Sequence, residues 1–383
     1  MSCVATGQDQ YSDGLLSVKK RFSDIEAAAL AEAFKGVRTG DGLQKGLFPI
    51  RSTGVTTAPI VSAAKQYLEL LSTPELIRSQ FAIDDPEWRR WFNVDNGIYV
   101  RQGLSLKEMS EDQRTAAWKI LEASLSAKGL DLSKSIMKTD RTLSELNGNG
   151  FLDEDLYFLT IMGTPDATEP WGWQLDGHHL VINYFVMGDQ VVMTPTFLGA
   201  EPAVTTSGHY AGNEVLQAEQ DMGLAFMQSL TTEQQERATL ANRKHHDDMQ
   251  AAAHKDNLIL DYAGLKVEDL ADDKKQAILN LIDLYVSNMR EGHAEVRMQE
   301  VRDNLNNTWF AWVGSVADNG VFYYRIHSPV ILIEFDHQIP VGTAVLHNTN
   351  RPVRDHIHTV IRTPNGNDYG KDLLGQHLRN HKH

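Results

Sequence analysis

Cysteine is almost missing from the 383-residue chain: Cys3 is the only one. An intrachain disulfide and a thiolate metal cluster are therefore excluded, and a cysteine nucleophile would have to come from the extreme N-terminus. Positive charge is also scarce, with 36 Lys and Arg against 51 Asp and Glu and a formal net charge of −15. That balance argues against an extended phosphate-binding face and against attraction to an anionic membrane surface. No stretch approaches the ~18 consecutive apolar residues of a membrane span, and the opening MSCVATGQDQYSDG has no basic segment followed by an apolar run. A cytoplasmic location is the resulting expectation. Missing too are GxGxxG before a helix, GxxxxGK(S/T), HExxH and GxSxG, which removes the main support for dinucleotide-binding, P-loop, zincin and serine-hydrolase readings.

What is present is a long stretch with an echo. WGWQLDGHHLVINYF (171–185) and FYYRIHSPVILIEFD (322–336) align at an offset of 151, so that Trp173 falls on Tyr324, Gln174 on Arg325, Ile182 on Ile333 and Asn183 on Glu334. DLYFLTIMG and NTWFAWVGS keep the same offset, with Gly163 on Gly314. Upstream, GLSLKEMSEDQRTAAWKILEASL (103–125) faces GLKVEDLADDKKQAILNLIDLYV (264–286), and LLSTPELIRS (70–79) faces SLTTEQQERA (229–238). Four blocks in one order point to an internal duplication of about 150 residues, because chance similarity of amphipathic helices accounts for one block and not for four.

The spacing predicts a helix over 18–37 and a Gly-rich loop over 39–54, together forming an extension at 1–59. Repeat one then covers 60–217 and repeat two 218–365, each opening with helices and closing with strands. A tail at 366–383 ends in a short helix. Helix starts are marked at Ser72, with Pro74 in the first turn and Glu75 third, and at Ser110 with Gln113 three residues on. Segregation of helices from strands predicts an α+β fold with mainly antiparallel pairing and a pseudo-twofold axis between two helix-helix-strand-hairpin units. Met187-Gly188-Asp189-Gln190 reads as a hairpin turn.

Strand alternation then selects candidate site residues. His356 and His358 share one strand face, and so do Glu334 and Asp336 on the preceding strand. Two nitrogens and an oxygen brought together suit Zn, Fe or Mn. The same pattern also suits a polar sheet side with unconnected charges. His178 and His179 are adjacent, so a regular strand sends them to opposite faces, unless Gly177 before them allows a bulge. Arg325 shares a face with His327 and either clamps an anion or pairs with Glu334 or Asp336. Arg362, four residues past His358, is a second anion clamp. Glu201 is a further acid/base candidate, and Asn183 faces Glu334 in the aligned repeats. His245, His246 and His254 read as solvated surface, and His381 and His383 as part of the chain end. Val192 and Thr194 stand in repeat one where repeat two has the histidine pair, so a single site near the second hairpin is expected rather than two.

The motifs WGWQLDGHHLVIN, TPTFLGAEP, YYRIHSPVILIEFD, HIHTVIR and DYGKDLL, in that order, resemble the family of bacterial and fungal proteins of unknown function numbered 3500. The likeness runs from about residue 60 to the C-terminus. It places the family's Gly-His-His on Gly177, His178 and His179, its Gly-Ala-x-Pro on Gly199 to Pro202, its Tyr-Tyr-Arg-Ile on Tyr323 to Ile326, its acidic strand on Ile333 to Asp336 and its His-Ile-His on His356 to His358. Ser328-Pro329 and His337 stand where the family has Gly-Pro and Asn. The resemblance implies a site among these polar strand residues and names no reaction.

The leading functional expectation is a hydrolase using a divalent metal on a small anionic organic molecule. His356 and His358, with His178 or His179, serve as ligands alongside Glu334. Arg325 orients the substrate, Asp336 assists, and Arg362, Glu201 and Asn183 contact it. A non-haem iron or copper oxygenase with the same ligands is the rival enzyme, and a small-molecule or metal-binding protein the non-enzymatic rival.

Overall fold

Short capping signals in the sequence set where the helices begin. In the computed structural model, which describes residues 13–380, the helix at Thr73–Ser79 starts behind Ser72, whose backbone N–H donates to the Glu75 carboxylate, and the helix at Thr232–Ala238 starts behind Thr231, paired in the same way with Gln234. Ser110 and Gln113 close a third such box ahead of Glu111–Ser124. These boxes satisfy amides that the first helical turn leaves without partners. Cys3, His381 and His383 lie outside the described residues.

In chain order the helices are α1 (Asp13–Ala31), α2 (Ala58–Glu69), α3 (Thr73–Ser79), α4 (Glu111–Ser124), α5 (Ala127–Asn147), α6 (Gln217–Gln228), α7 (Thr232–Ala238), α8 (Asp272–Val286), α9 (Glu291–Asp303) and α10 (Lys371–Asn380). The strands are β1 (Gln80–Phe81), β2 (Leu104–Ser105), β3 (Phe158–Met162), β4 (Trp171–Gly177), β5 (Leu180–Met187), β6 (Gln190–Val192), β7 (Thr196–Ala200), β8 (Thr239–Ala241), β9 (Leu265–Lys266), β10 (Trp309–Gly314), β11 (Phe322–His327), β12 (Leu332–His337) and β13 (Ile357–Arg362). All strands join one sheet in the order β1-β3-β4-β5-β7-β13-β12-β11-β10-β8, with β2, β6 and β9 attached to β3, β5 and β10. Pairing is antiparallel except for β1–β3 and β8–β10. The fold is α+β, and the two halves of the sequence meet at the β7–β13 ladder, where Leu198 faces Thr359.

Both faces of the central strands are buried, which is why β5 reads as an almost unbroken apolar run rather than an alternating one. Leu180, Ile182, Tyr184 and Val186 point into a core shared with helices α2, α4, α5, α6, α8 and α9. Val181, Phe185 and Met187 point the other way, into a second core closed by Val37, Phe48, Trp88, Trp91, Ala251, Tyr369 and Leu373. That second cover is mostly irregular chain, including a strap over 244–256. No helix among the described residues is long and apolar enough to cross a membrane.

Two local expectations need correction. The first helix runs Asp13–Ala31 and not to residue 37: Val37 is fully buried in the second core, and at Gly36, with φ of 84°, a Cβ would stand 2.5 Å from Gly366. His254 is not solvated surface. The strap carries it half-buried at φ of 62°, with its ring centre 5.1 Å from that of Phe92, and burial pushes its pKa down to about 4. His245 and His246 are exposed.

Candidate metal centre

The β4–β5 hairpin closes through Gly177 paired with Leu180, leaving His178 and His179 as its two-residue turn. His179 takes φ of 60° there. Adjacent histidines in a regular strand would face apart, but in this turn their rings stack with centres 3.8 Å apart. Gly177 has no room for a side chain, since a Cβ would meet the Tyr157 ring at 2.2 Å. Strand order then brings the turn to the histidine pair. β5 pairs with β7 and β7 with β13, so that His358 lies opposite Gly199, whose N–H donates to the His179 carbonyl at 2.7 Å. The absent side chain at Gly199 leaves space for both rings: a Cβ would be 3.1 Å from His358 Cδ2 and 3.2 Å from His179 Cδ2.

Three imidazole nitrogens converge as a result. His358 Nε2 lies 3.0 Å from His356 Nε2 and 3.2 Å from His179 Nε2, and the ligand atoms of the three residues all lie within 4.8 Å of one another. His356 Nδ1 donates to the Ile339 carbonyl at 2.7 Å. A carbonyl only accepts, so the proton sits on Nδ1 and Nε2 presents a lone pair to the centre of the group. His358 Nε2 carries at most one proton, and no arrangement of protons makes both of its contacts good hydrogen bonds. Burial pushes the pKa values of His179 and His358 well below the ordinary range, helped by the neighbouring histidines, and it lowers that of His356 despite the Glu201 carboxylate. The rings are therefore neutral at pH 7. Zn–N bonds of about 2.05 Å in a tetrahedron set ligand nitrogens about 3.4 Å apart, and the observed spacing is a few tenths shorter.

His178 stands beside this group with a different bond. Its Nδ1 pairs with Asp140, which also accepts from Tyr157 Oη at 2.8 Å. Burial would lower the His178 pKa, but the Asp140 carboxylate outweighs it and raises it. Glu201, at the end of β7, is buried with its Oε2 3.5 Å from His356 Nδ1. It accepts the N–H groups of Val341, Gly342 and Thr343 at 2.8 to 2.9 Å. Burial works against that carboxylate, but His356 and these amides overcome it and hold its pKa low.

The four histidines and Glu201 form one wall of a half-open pocket of about 370 Å³. Its other walls are the 93–98 loop, the C-terminal end of α5 with the residues just beyond it, and Val341–Gly342. Asn93, Asn147 and Asn149 supply amides, and Ile98, Leu143 and Leu152 apolar surface. Among the described residues no Lys or Arg lines it. A second cavity, between the sheet and α8–α9, has only about 50 Å³ of room, enough for a few waters, and its polar lining includes His293 and Arg297 but no group of metal ligands.

The other expected site residues lie elsewhere on the same sheet face. Glu334 is fully buried and accepts from Tyr323 Oη at 2.5 Å and from the Gln250 and Ala251 amides of the strap. Asp336 lies opposite His358 in register, yet its carboxylate turns to Lys244 Nζ at 2.5 Å and to the Asp248 amide. Arg325 makes one long bond, 3.4 Å, to the Asp261 carbonyl, and pairs with neither acid. Arg362 is locked by Asp256 and Asp368, both at 3.0 Å, and by the Ala251 and Ala252 carbonyls. Asn183 bonds Gln174 and the Pro195 carbonyl in the core. These residues share one sheet face, but irregular chain covers it, with the strap over Glu334, Asp336 and Arg362. Sequence reasoning missed Asp140 and the 339–343 segment, because neither belongs to a spaced motif.

The family model described as "Protein of unknown function (DUF3500)" matches residues 53–371, and the chain belongs to that family. No curated protein and no solved structure matches it.

Proposed function

We propose that this DUF3500 protein is a metal-dependent enzyme whose divalent transition ion is held by Nε2 of His179, His356 and His358, and that it hydrolyses a small organic molecule. The observation that carries this reading is the meeting of three neutral imidazoles, those of His179 and His356 buried and that of His358 partly so, one with its lone pair aimed inward, in an arrangement that protons alone leave unsatisfied. Such an ion would supply Lewis-acid activation of water or of a substrate oxygen. An open side suits catalysis better than storage, since structural sites are closed by four protein ligands. An all-nitrogen donor set favours zinc, iron or copper over manganese, which prefers oxygen.

Around that centre, His356 is fixed in its tautomer by Ile339, and His178 keeps Nδ1 on Asp140 with Nε2 uncommitted beside the pocket. With Arg325 and Arg362 elsewhere, an anionic substrate would find no guanidinium, only the metal and the His178 ring, whose charge Asp140 already offsets. The amides and apolar lining instead suit an uncharged molecule that presents one oxygen to the metal and an apolar flank to Ile98, Leu143 and Leu152.

The same nitrogens would also hold redox-active iron or copper, so metal content separates hydrolase from oxygenase. Elemental analysis of untagged protein should give one zinc per chain, and His358→Ala should remove it while the fold is retained. Iron or copper at that stoichiometry would favour the oxygenase, and wild-type protein with no affinity for any of the three would end the metal reading.

A further inference from the structure

Resting on that metal reading, we propose that Glu201 is a positioning residue that joins the flap at residues 339–343 to the ligand His356, so that metal and flap become ordered together. The flap belongs to the long connection between β12 and β13 and forms part of the pocket wall. Its polar backbone groups run to a small set of partners. The Ile339 carbonyl accepts from His356 Nδ1 at 2.7 Å. Pro340 has no N–H. The next three amides all go to one carboxylate: Val341 and Thr343 to Glu201 Oε1, both at 2.8 Å, and Gly342 to Oε2 at 2.9 Å, with Thr343 Oγ1 adding a fourth bond at 2.7 Å. The Gly342 carbonyl accepts from Asn147 at 2.7 Å.

Glu201 follows Ala200, which is paired in the ladder with Ile357, so the carboxylate is carried by the rigid end of the sheet. Besides Glu201, the flap is tied by the Asn147 bond and by the Ile339 amide on Asp247 Oδ1 at 3.2 Å, and Pro340 and Thr343 are buried. Val341 lines the pocket yet is 75% exposed, and Val345 and Leu346 just beyond it are 71% and 59% exposed. With this much apolar surface in water, the exposed side of the flap gains little from burial, and four of the bonds that hold its backbone end on Glu201.

The link to the metal runs through the imidazole. An ion on His356 Nε2 withdraws electron density and makes Nδ1–H a stronger donor to Ile339. Conversely, a flap held by Glu201 fixes the His356 ring in the orientation that the ion needs. Each event therefore favours the other, as linkage requires.

Hydrogen exchange on the full chain, with and without Zn²⁺, tests this. In wild-type protein zinc should slow exchange of the Val341, Gly342 and Thr343 amides about tenfold or more, relative to a reference peptide over α8, Asp272–Val286. Glu201→Gln, whose amide nitrogen cannot accept from Gly342, should bind zinc about 10- to 100-fold more weakly and lose the zinc-dependent protection. Thr343→Val, which removes only the Oγ1 bond, should show a smaller loss of the same kind and covers the case that Glu201→Gln does not fold. Zinc bound by wild-type protein with unchanged flap exchange would overturn the coupling and leave the metal site standing. Failure of wild-type protein to bind zinc, iron or copper would overturn the metal reading itself.

Discussion

Gly199→Ala is the most discriminating single-atom perturbation of the centre. The added Cβ would stand 3.1 Å from His358 Cδ2, 3.2 Å from His179 Cδ2 and 3.1 Å from the Ile357 carbonyl, where ordinary contact begins at 3.4 Å. Each ring must retreat by about 0.2 to 0.3 Å, and neither has much room. His179 is stacked on His178, and His358 sits edge-on to Phe197 with ring centres 5.0 Å apart. Metal–ligand distances tolerate about 0.2 Å, so the shift falls on the Nε2 positions. We expect zinc affinity to drop about tenfold, or ~1.4 kcal/mol, while alanine's better strand propensity keeps the fold within about 1 kcal/mol of wild type. Calorimetric zinc titration together with denaturant melts of the metal-free protein separates the two effects. Unchanged zinc affinity in a variant shown to have moved rings would refute the claim that this glycine sets the geometry, and a large loss of metal-free stability would show that the strain falls on the sheet.

Arg362→Met should destabilise the protein by about 3–5 kcal/mol, because it leaves Asp368 buried without its cation and Asp256 with Arg89 alone, yet zinc stoichiometry should not change; a variant of normal stability that loses its metal would reinstate Arg362 in the site. Burial pushes the Glu87 pKa up to about 8 from 4.5, so the folded state holds a proton that the unfolded state releases. Its contribution to stability is complete below pH 4.5 and is lost as pH rises toward 8. Glu87→Gln should therefore gain on wild type across that window, on the order of 4 kcal/mol by pH 8, in denaturant midpoints taken at several pH values; parallel pH profiles would contradict the assignment. The internal duplication predicts that residues 60–200 of an experimental structure superpose on 218–365 with Gly163 over Gly314 and Asn183 over Glu334, and unrelated paths in the two halves would dismiss it.

Local physics made several features legible in the sequence. The helix starts at Ser72 and Ser110 follow from side chains that serve amides three residues away, and such bonds need no knowledge of the rest of the chain. Alternation placed His356, His358, Glu334, Asp336 and Arg325 on one sheet face, because the strand repeat is a property of the backbone. Alternation carries no information about what lies over that face. The strap at 244–256, about 80 residues before β12, covers Glu334 and Asp336 with its amides and receives Arg362 on its carbonyls, and this turned expected catalytic groups into buried supports. His178 and His179 were read with strand rules that fail in a two-residue turn, where φ of 60° at His179 redirects its ring. Asp140, Glu201 and His179 reach the site from three separate elements: the β5–β7–β13 ladder brings Glu201 and His179 to His356 and His358, while Asp140 reaches His178 from α5. Residue spacing fixed which side chains could share a face, and long-range strand order together with the irregular cover decided which of them meet around the open pocket.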